Sequence, residues 1–223
     1  MRDNVLFADR RDAGKKLADH LESLALPHVG VRVLALPRGG VPVAYEVARR
    51  LDAPLDVLVV RKLGVPGHGE YAMGALAAGG FRVLDDEVIR GMQVGGQDIQ
   101  AVIDAESEEL RRREQAYRHG LPPPDMAGMT VVLVDDGMAT GSSLRAAVMA
   151  VRGQGPRALV AAVPVGSPQA CAALRPLVDE MVCLATPEPF HAVGLWYADF
   201  PQTGDLEVET LLRRRRHDAG KPG

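Results

Sequence analysis

Residues 130–145, TVVLVDDGMATGSSLR, constrain the fold more than any other stretch of the chain. Thr130, Val131, Val132, Leu133 and Val134 are all β-branched or aliphatic, the pattern of a strand buried on both faces. Asp135 and Asp136 follow at once, then the turn Gly137-Met138-Ala139-Thr140-Gly141. Ser142-Ser143 then open a helix whose Leu144, Ala147, Val148 and Val151 share one face. A buried strand that runs through a glycine turn into an amphipathic helix is the building unit of an α/β sheet.

Each part of this unit has a chemical use. A helix N-terminus presents unpaired N–H groups and a partial positive charge, which suits a phosphate. Gly137 and Gly141 let the backbone approach a ligand closely or take positive φ, and Thr140, Ser142 and Ser143 add hydroxyl donors. Carboxylates so near that tip do not hold phosphate themselves. They suit hydrogen bonds from a vicinal diol, or a Mg²⁺ ion held through water. A sugar 5′-phosphate with free 2′ and 3′ hydroxyls matches the set. A nucleoside triphosphate matches it less well, because the lysine of G-x-x-x-x-G-K-[ST] is absent, as is G-x-G-x-x-G. The plainer alternative is that Asp135 and Asp136 only end a strand and cap the next helix, but a cap does not call for two carboxylates, two glycines and three hydroxyls.

Elsewhere the same rhythm recurs. Residues 7–24 place Ala13, Leu17, Leu21 and Leu24 on one helical stripe, with the opposite charges expected to be solvated. Residues 31–36 form a second buried strand, ending in Pro37-Arg38-Gly39-Gly40 and a helix with Pro42 in its first turn. Ligands of open α/β sheets sit beyond the carboxyl ends of the strands, so the two glycine turns are expected to face one site. There Arg38 can fork onto a phosphate, and the amides of Gly39 and Gly40 can assist. Residues 55–60 read as a third strand running into Arg61-Lys62, two cations that need solvent or an anion at the end of a buried segment. Residues 63–70, LGVPGHGE, carry too much Gly and Pro for regular structure and read as a mobile lid. Residues 72–78 and 81–84 read as a hairpin joined at Gly79-Gly80. His68 in the lid is either a participant or simply exposed.

Residues 85–124 interrupt the pattern. Ile99, Ile103, Leu110 and Tyr117 make a narrow helical stripe, and Glu108–Arg112, Glu109–Arg113 and Glu114–Arg118 are spaced i,i+4, so Arg111-Arg112-Arg113 reads as a paired, solvated face. So narrow a seam also suits a contact between subunits, which makes a homodimer one expectation. Residues 158–165 and 180–184 read as further strands, with Gly166-Ser167 a plain connection. The chain has one Trp, four Tyr and four Phe, and Phe190, Trp196, Tyr197 and Phe200 fall together. They either stack on a flat heterocycle, at roughly 1–3 kcal/mol per base, or form a satellite core. Residues 204–223 read as a helix closed by the arginines at 213–216, a solvated tail rather than a nucleic-acid arm.

Composition excludes several classes. At 47% hydrophobic and 25% charged, the 223 residues are ordinary for a globular chain. A net charge of −3 gives no general affinity for nucleic acid. Cys171 and Cys183 lack metal-ligand spacing. The charged N-terminus lacks an apolar signal core, and no apolar run approaches ~20 residues, so the expectation is a cytoplasmic protein without a membrane span.

Residues 130–145 closely resemble the phosphoribosyl-diphosphate motif of type I phosphoribosyltransferases. P-R-G-G looks like that family's diphosphate-binding loop. R-K followed by H-G-E is similar to the lid of orotate phosphoribosyltransferases, with Lys62 as its one lysine, and V-G-L-W-Y-A-D-F is similar in placement to the nucleobase hood of purine-salvage members. The resemblance covers about residues 31–186. It implies an α/β fold with a central, mostly parallel sheet flanked by helices. Residues 1–223 would be one domain, with a helical insertion at about 86–124 and a small hood at about 187–203. It implies transfer of a 5-phosphoribosyl group from 5-phosphoribosyl 1-diphosphate to a nitrogenous base, releasing diphosphate. Arg38 and Lys62 with Mg²⁺ would stabilise the leaving charge, helped by Arg61. Asp135 and Asp136 would orient the ribose and hold the ion through water. Gly137, Met138, Ala139, Thr140, Gly141, Ser142 and Ser143 would anchor the 5′-phosphate, Gly39 and Gly40 the diphosphate, and Trp196 the base. Two alternatives stand beside it: a non-catalytic sensor of the donor or a nucleotide on the same fold, and a phosphosugar hydrolase or phosphorylase.

Overall fold

The computed structural model describes residues 5–24, 30–77, 80–118 and 120–219. Its centre is a five-stranded parallel sheet built from β1 (Val31–Ala35), β2 (Leu55–Val57), β6 (Thr130–Val134), β7 (Ala158–Val165) and β8 (Glu180–Ala185), in the order β2-β1-β6-β7-β8. A second, antiparallel sheet carries β3 (Val60–Val65), β4 (His68–Ala77) and β5 (Phe81–Leu84). The helices are α1 (Arg10–Ser23), α2 (Gly40–Arg50), α3 (Asp86–Gly91), α4 (Gly96–Arg118), α5 (Ser142–Arg152), α6 (Pro168–Leu174) and α7 (Asp205–Ala219).

The apolar runs in the sequence become a sheet covered on both faces. Successive side chains of a strand point to opposite sides. Val33, Ala35, Val132 and Val134 thus join one buried cluster with Leu17 and Leu21 of α1, Val43 and Val47 of α2, and Val208 and Leu212 of α7. Leu34, Val131 and Leu133 join the other, with Leu144, Ala147 and Val151 of α5 and Leu174 of α6. The central mostly parallel sheet flanked by helices is therefore the observed fold.

Two expectations need correction. Residues 55–60 are not one strand: pairing to β1 ends at Val57, and Val60 already pairs with Ala77 in the second sheet. Residues 63–70 are not irregular. They lie largely in a β3–β4 hairpin, because Leu63, Val65 and Met73 bury their side chains while register shifts beside Gly64 absorb the glycine. Gly67, at φ +74°, makes the turn, and His68 is exposed next to it. The expected 72–78/81–84 hairpin is present as β4 and β5, while Ala78 and Gly79 lie outside the described residues.

Several charges expected in solvent are instead committed. Arg118 is buried, its guanidinium 2.7 Å from Asp56 and bonded to the Pro122 carbonyl, so it leaves Glu114 for the interior. Arg215 is buried against Asp52 at 2.8 Å and the Ala53 carbonyl at 3.0 Å, and this holds α7 to the sheet rather than leaving a tail. Arg112 and Arg113 do pair on the exposed face of α4, both with Glu109.

Candidate functional site

β1 and β6 are neighbours in register, Val31 beside Thr130 and Ala35 beside Val134. Their loops therefore leave the sheet side by side, and the two glycine turns face each other as expected. The contact is tight. A Cβ on Gly39 would stand 2.0 Å from Asp136 Oδ2, and one on Gly40 would stand 2.8 Å from the Val134 carbonyl and 3.1 Å from Asp135 Oδ1. Glycine is required here for close approach. The Gly40 N–H, expected to assist a ligand, donates to the Leu36 carbonyl at 3.1 Å.

The tip of α5 has an open end. Its N-cap is Gly141 at φ +76°, which has no side chain to cap with, and the Ser142 N–H reaches Thr140 Oγ1 at a long 3.4 Å. α1, α3 and α6 are capped by Asp9, Asp85 and Ser167, whereas α2 and α5, the two helices that begin at these turns, are not. Asp135 and Asp136 do not cap, which removes the plainer account of the acid pair. Unpaired N–H groups at a helix start bind anions. Around this tip, Asp135 and residues 137–144 enclose a hollow of about 110 Å³. Thr140 and Ser142 place their hydroxyls 3.2 Å apart there.

A larger cleft of about 440 Å³ opens beside it, lined by Pro37, Arg61, Lys62, Asp135, Ser142 and Ser143, and by Glu106 and Arg113 of α4. Asp135 belongs to both spaces. Arg61 is bound at 2.5 Å to Glu106, so the inserted helix supplies a counter-charge inside the cleft that no local pattern in the chain foretells. Arg38 extends toward the start of α7, its Nη1 3.7 Å from Asp205 Oδ1, the oxygen that also accepts the Tyr117 hydroxyl at 2.7 Å.

Asp136 is committed elsewhere. Its Oδ2 accepts Nε of Arg10 at 2.7 Å, and its carbonyl accepts the Tyr197 hydroxyl at 2.5 Å. Arg10 also donates to the Pro201 carbonyl at 2.6 Å and lies 3.6 Å over the Phe200 ring. The N-terminal helix and the hood are thus clamped onto the second acid. Burial, then the charge of Asp136, pushes the Asp135 carboxyl well above its ordinary range. Burial raises Asp136 too, opposed by the Arg10 guanidinium. A bound cation or ribose hydroxyls at Asp135 would stabilise its charged form.

Three expected ligand residues are placed differently. Met138 spends its backbone on a bridge to Gly166: its N–H donates to Val165 and its carbonyl accepts from Ser167 N at 2.8 Å. Trp196 is 7% exposed, packed with Phe190, Phe7 and Tyr197 in the satellite core, which leaves no open ring face for a base. Ala139 is exposed, but its carbonyl accepts Ser167 Oγ at 2.7 Å. Gly166-Ser167 is therefore a brace for the 137–141 turn rather than a plain connection. The residues that sequence reasoning missed are Arg10, Ser167, Glu106 and Tyr197. Each acts across a long chain separation, and only Tyr197 stands in a local pattern, the aromatic cluster.

As a donor set for Mg²⁺, the site offers few protein oxygens. Among the described residues no group of three acidic, His or Cys side chains converges. Asp135 faces the cleft and Asp136 is held by Arg10. That fits an ion bound mainly by phosphate oxygens and water, with one carboxylate from the protein. Among the described residues no helix is long and apolar enough to cross a membrane.

A parallel sheet with an acid pair and a glycine-bounded helix start at the strand ends, beside a β3–β4 hairpin, defines the class of type I phosphoribosyltransferase folds. TT1426 from Thermus thermophilus shares it at TM-score 0.86 and 45% identity, over 93% of this chain and 98% of that one. The chain belongs to the phosphoribosyl transferase domain family, whose model matches residues 10–192. Two Mycobacterium tuberculosis proteins, from strains CDC 1551 / Oshkosh and ATCC 25618 / H37Rv and both named provisionally as phosphoribosyl transferases, are 47% identical over 218 residues. The match takes in 98% of this chain and 49% of theirs, so the chain spans about half the length of these curated relatives. A Neisseria gonorrhoeae protein solved with bound ppGpp shares the fold alone, at 13% identity and TM-score 0.52 over 94% of this chain and 96% of that one.

Proposed function

We propose that this chain transfers a 5-phosphoribosyl group from 5-phosphoribosyl 1-diphosphate to a nitrogenous base, releasing diphosphate. The observation that carries this is the convergence of the uncapped α5 tip, the Asp135 carboxylate and the Arg61-Lys62 pair on adjoining hollows. The 5′-phosphate binds the N–H groups and hydroxyls at residues 140–143. Asp135 accepts the ribose hydroxyls. The diphosphate lies toward Pro37, Gly39, Arg61 and Lys62, where cations offset the charge that builds up as the C1′–O bond breaks. Mg²⁺, where bound, neutralises further charge on the diphosphate. The lid hairpin closes the cleft to water, and Arg38 swings from Asp205 to the leaving group. The core at 31–186, the insertion and the hood act as one domain.

Radiolabelled donor incubated with Mg²⁺ and a panel of purines, pyrimidines and pyridine carboxylates tests this. Diphosphate release dependent on one base is the expected result; release of inorganic phosphate would point instead to a hydrolase. A second function, a sensor that binds the donor without turnover, is favoured by one observation: Arg10 occupies the second acid. It predicts donor binding by calorimetry with no diphosphate release for any base.

A further inference from the structure

The chain's two cysteines, far from any metal-like spacing, are brought together by the fold. Cys171 lies on α6 and Cys183 on β8. Both crowd the same glycine: a Cβ on Gly166 would stand 3.0 Å from Cys171 Sγ and 3.3 Å from Cys183 Sγ. Cys183 Sγ also lies 3.2 Å from the Ala185 carbonyl. Neither thiol serves the transfer proposed above.

Gly166 connects this pair to the site. It bridges Met138, and its neighbour Ser167 holds the phosphate loop through Ser167 N to Met138 O at 2.8 Å and Ser167 Oγ to Ala139 O at 2.7 Å. The same Ser167 caps α6, the helix that carries Cys171. Ser167 therefore ties the start of α6 to residues 138 and 139.

We infer that Cys171 and Cys183 form a reversible disulfide in the presence of a hydroperoxide, and that this bond shifts Gly166-Ser167 and weakens the phosphate loop's grip on its ligand. The neighbouring Cys183 thiol, aided by the nearby Arg175 guanidinium, lowers the Cys171 thiol and marks it as the attacking sulfur; the neighbouring Cys171 and burial raise Cys183. Cys171 thiolate attacks one peroxide oxygen, forming a sulfenic acid and releasing hydroxide, which takes up a proton. The Cys183 sulfur, giving up its proton, then attacks the Cys171 sulfur and expels the hydroxyl as water. Two thiols lose two electrons and two protons, and hydrogen peroxide becomes two waters.

The disulfide rests on the close approach of both sulfurs to Gly166, whereas its effect on affinity rests on the donor-binding function proposed above. The test treats the full chain with hydrogen peroxide, counts thiols by Ellman reagent and intact mass, and titrates 5-phosphoribosyl 1-diphosphate with Mg²⁺ by calorimetry. Both thiols should disappear with loss of two hydrogens and return with dithiothreitol. Donor affinity should fall by about tenfold in the oxidised protein, while Cys183→Ser keeps its affinity under the same treatment. Persistence of both thiols, or over-oxidation without cross-linking, would overturn the disulfide, and a disulfide with unchanged affinity would overturn the coupling. If the reduced protein binds no donor, the proposed function fails by itself. Hydrogen exchange at the amides of 138–141, oxidised against reduced, then decides the coupling, and identical exchange rejects it.

Discussion

Asp135 and Asp136 are adjacent in sequence yet have separate duties. Asp135 lines both hollows, while Asp136 is held by Arg10 and fastens the hood. Asp135→Asn should therefore lower donor affinity at least tenfold, about 1.4 kcal/mol, by calorimetry. It should also change the pH dependence of stability. The folded-state pKa of Asp135 is raised above the ordinary 3.8, so the folded form binds its proton more tightly than the unfolded chain does. That stability is present in full below the ordinary value and is lost as pH rises through the raised one. Chemical denaturation across this window should show the wild type weakening with rising pH, and Asp135→Asn a flatter profile. Arg10→Ala leaves Asp136 as a largely buried carboxylate without its cation and should cost about 2 kcal/mol in urea unfolding, short of a fully buried pair because both side chains keep some exposure. The acids were legible in the sequence because a strand, glycines and hydroxyls frame them. Arg10, 126 residues away, looks like any charge in the first turn of a surface helix.

Among the elements, the two glycine turns were readable as a pair, since neighbouring parallel strands must deliver their loops to one edge. What could not be read is how closely they pack. Gly39→Ala would set a methyl 2.0 Å from Asp136 Oδ2, so the acid or the turn must move. Donor affinity should drop about tenfold with the circular dichroism spectrum unchanged; unaltered binding would show that the turn is looser than its geometry. Residues 63–70 show how local cues fail. Glycine and proline density suggested irregular chain, but buried Leu63, Val65 and Met73 pull the segment into a sheet, and a shift in register accommodates Gly64. Aromatic clustering in 190–200 left two options, and the satellite core is the one that forms, with Phe7 and Arg10 arriving from the far end of the chain to complete it.

For the molecule as a whole, the strands at the centre carry the stability. Leu133 is fully buried between β6 and α5, and Leu133→Ala should cost about 3 kcal/mol by lost burial and a residual cavity. The urea midpoint should fall with an unchanged m-value. The sheet's parallel, two-sided character was legible, because continuous apolar runs demand cover on both sides, while its strand order was not. The long-range ties of Arg118 to Asp56 and Arg215 to Asp52 were not, since burying an arginine depends on a partner that only the finished fold supplies. The strand order also says something about how such a chain can diversify. The lid springs from beyond β2 and the hood from beyond β8, which are the opposite outer rows of the five. On the function proposed above, a cargo over the middle rows would be straddled from two flanks that share no strand, so either flank could be rebuilt for a new acceptor while the seat for the common sugar stays as it is.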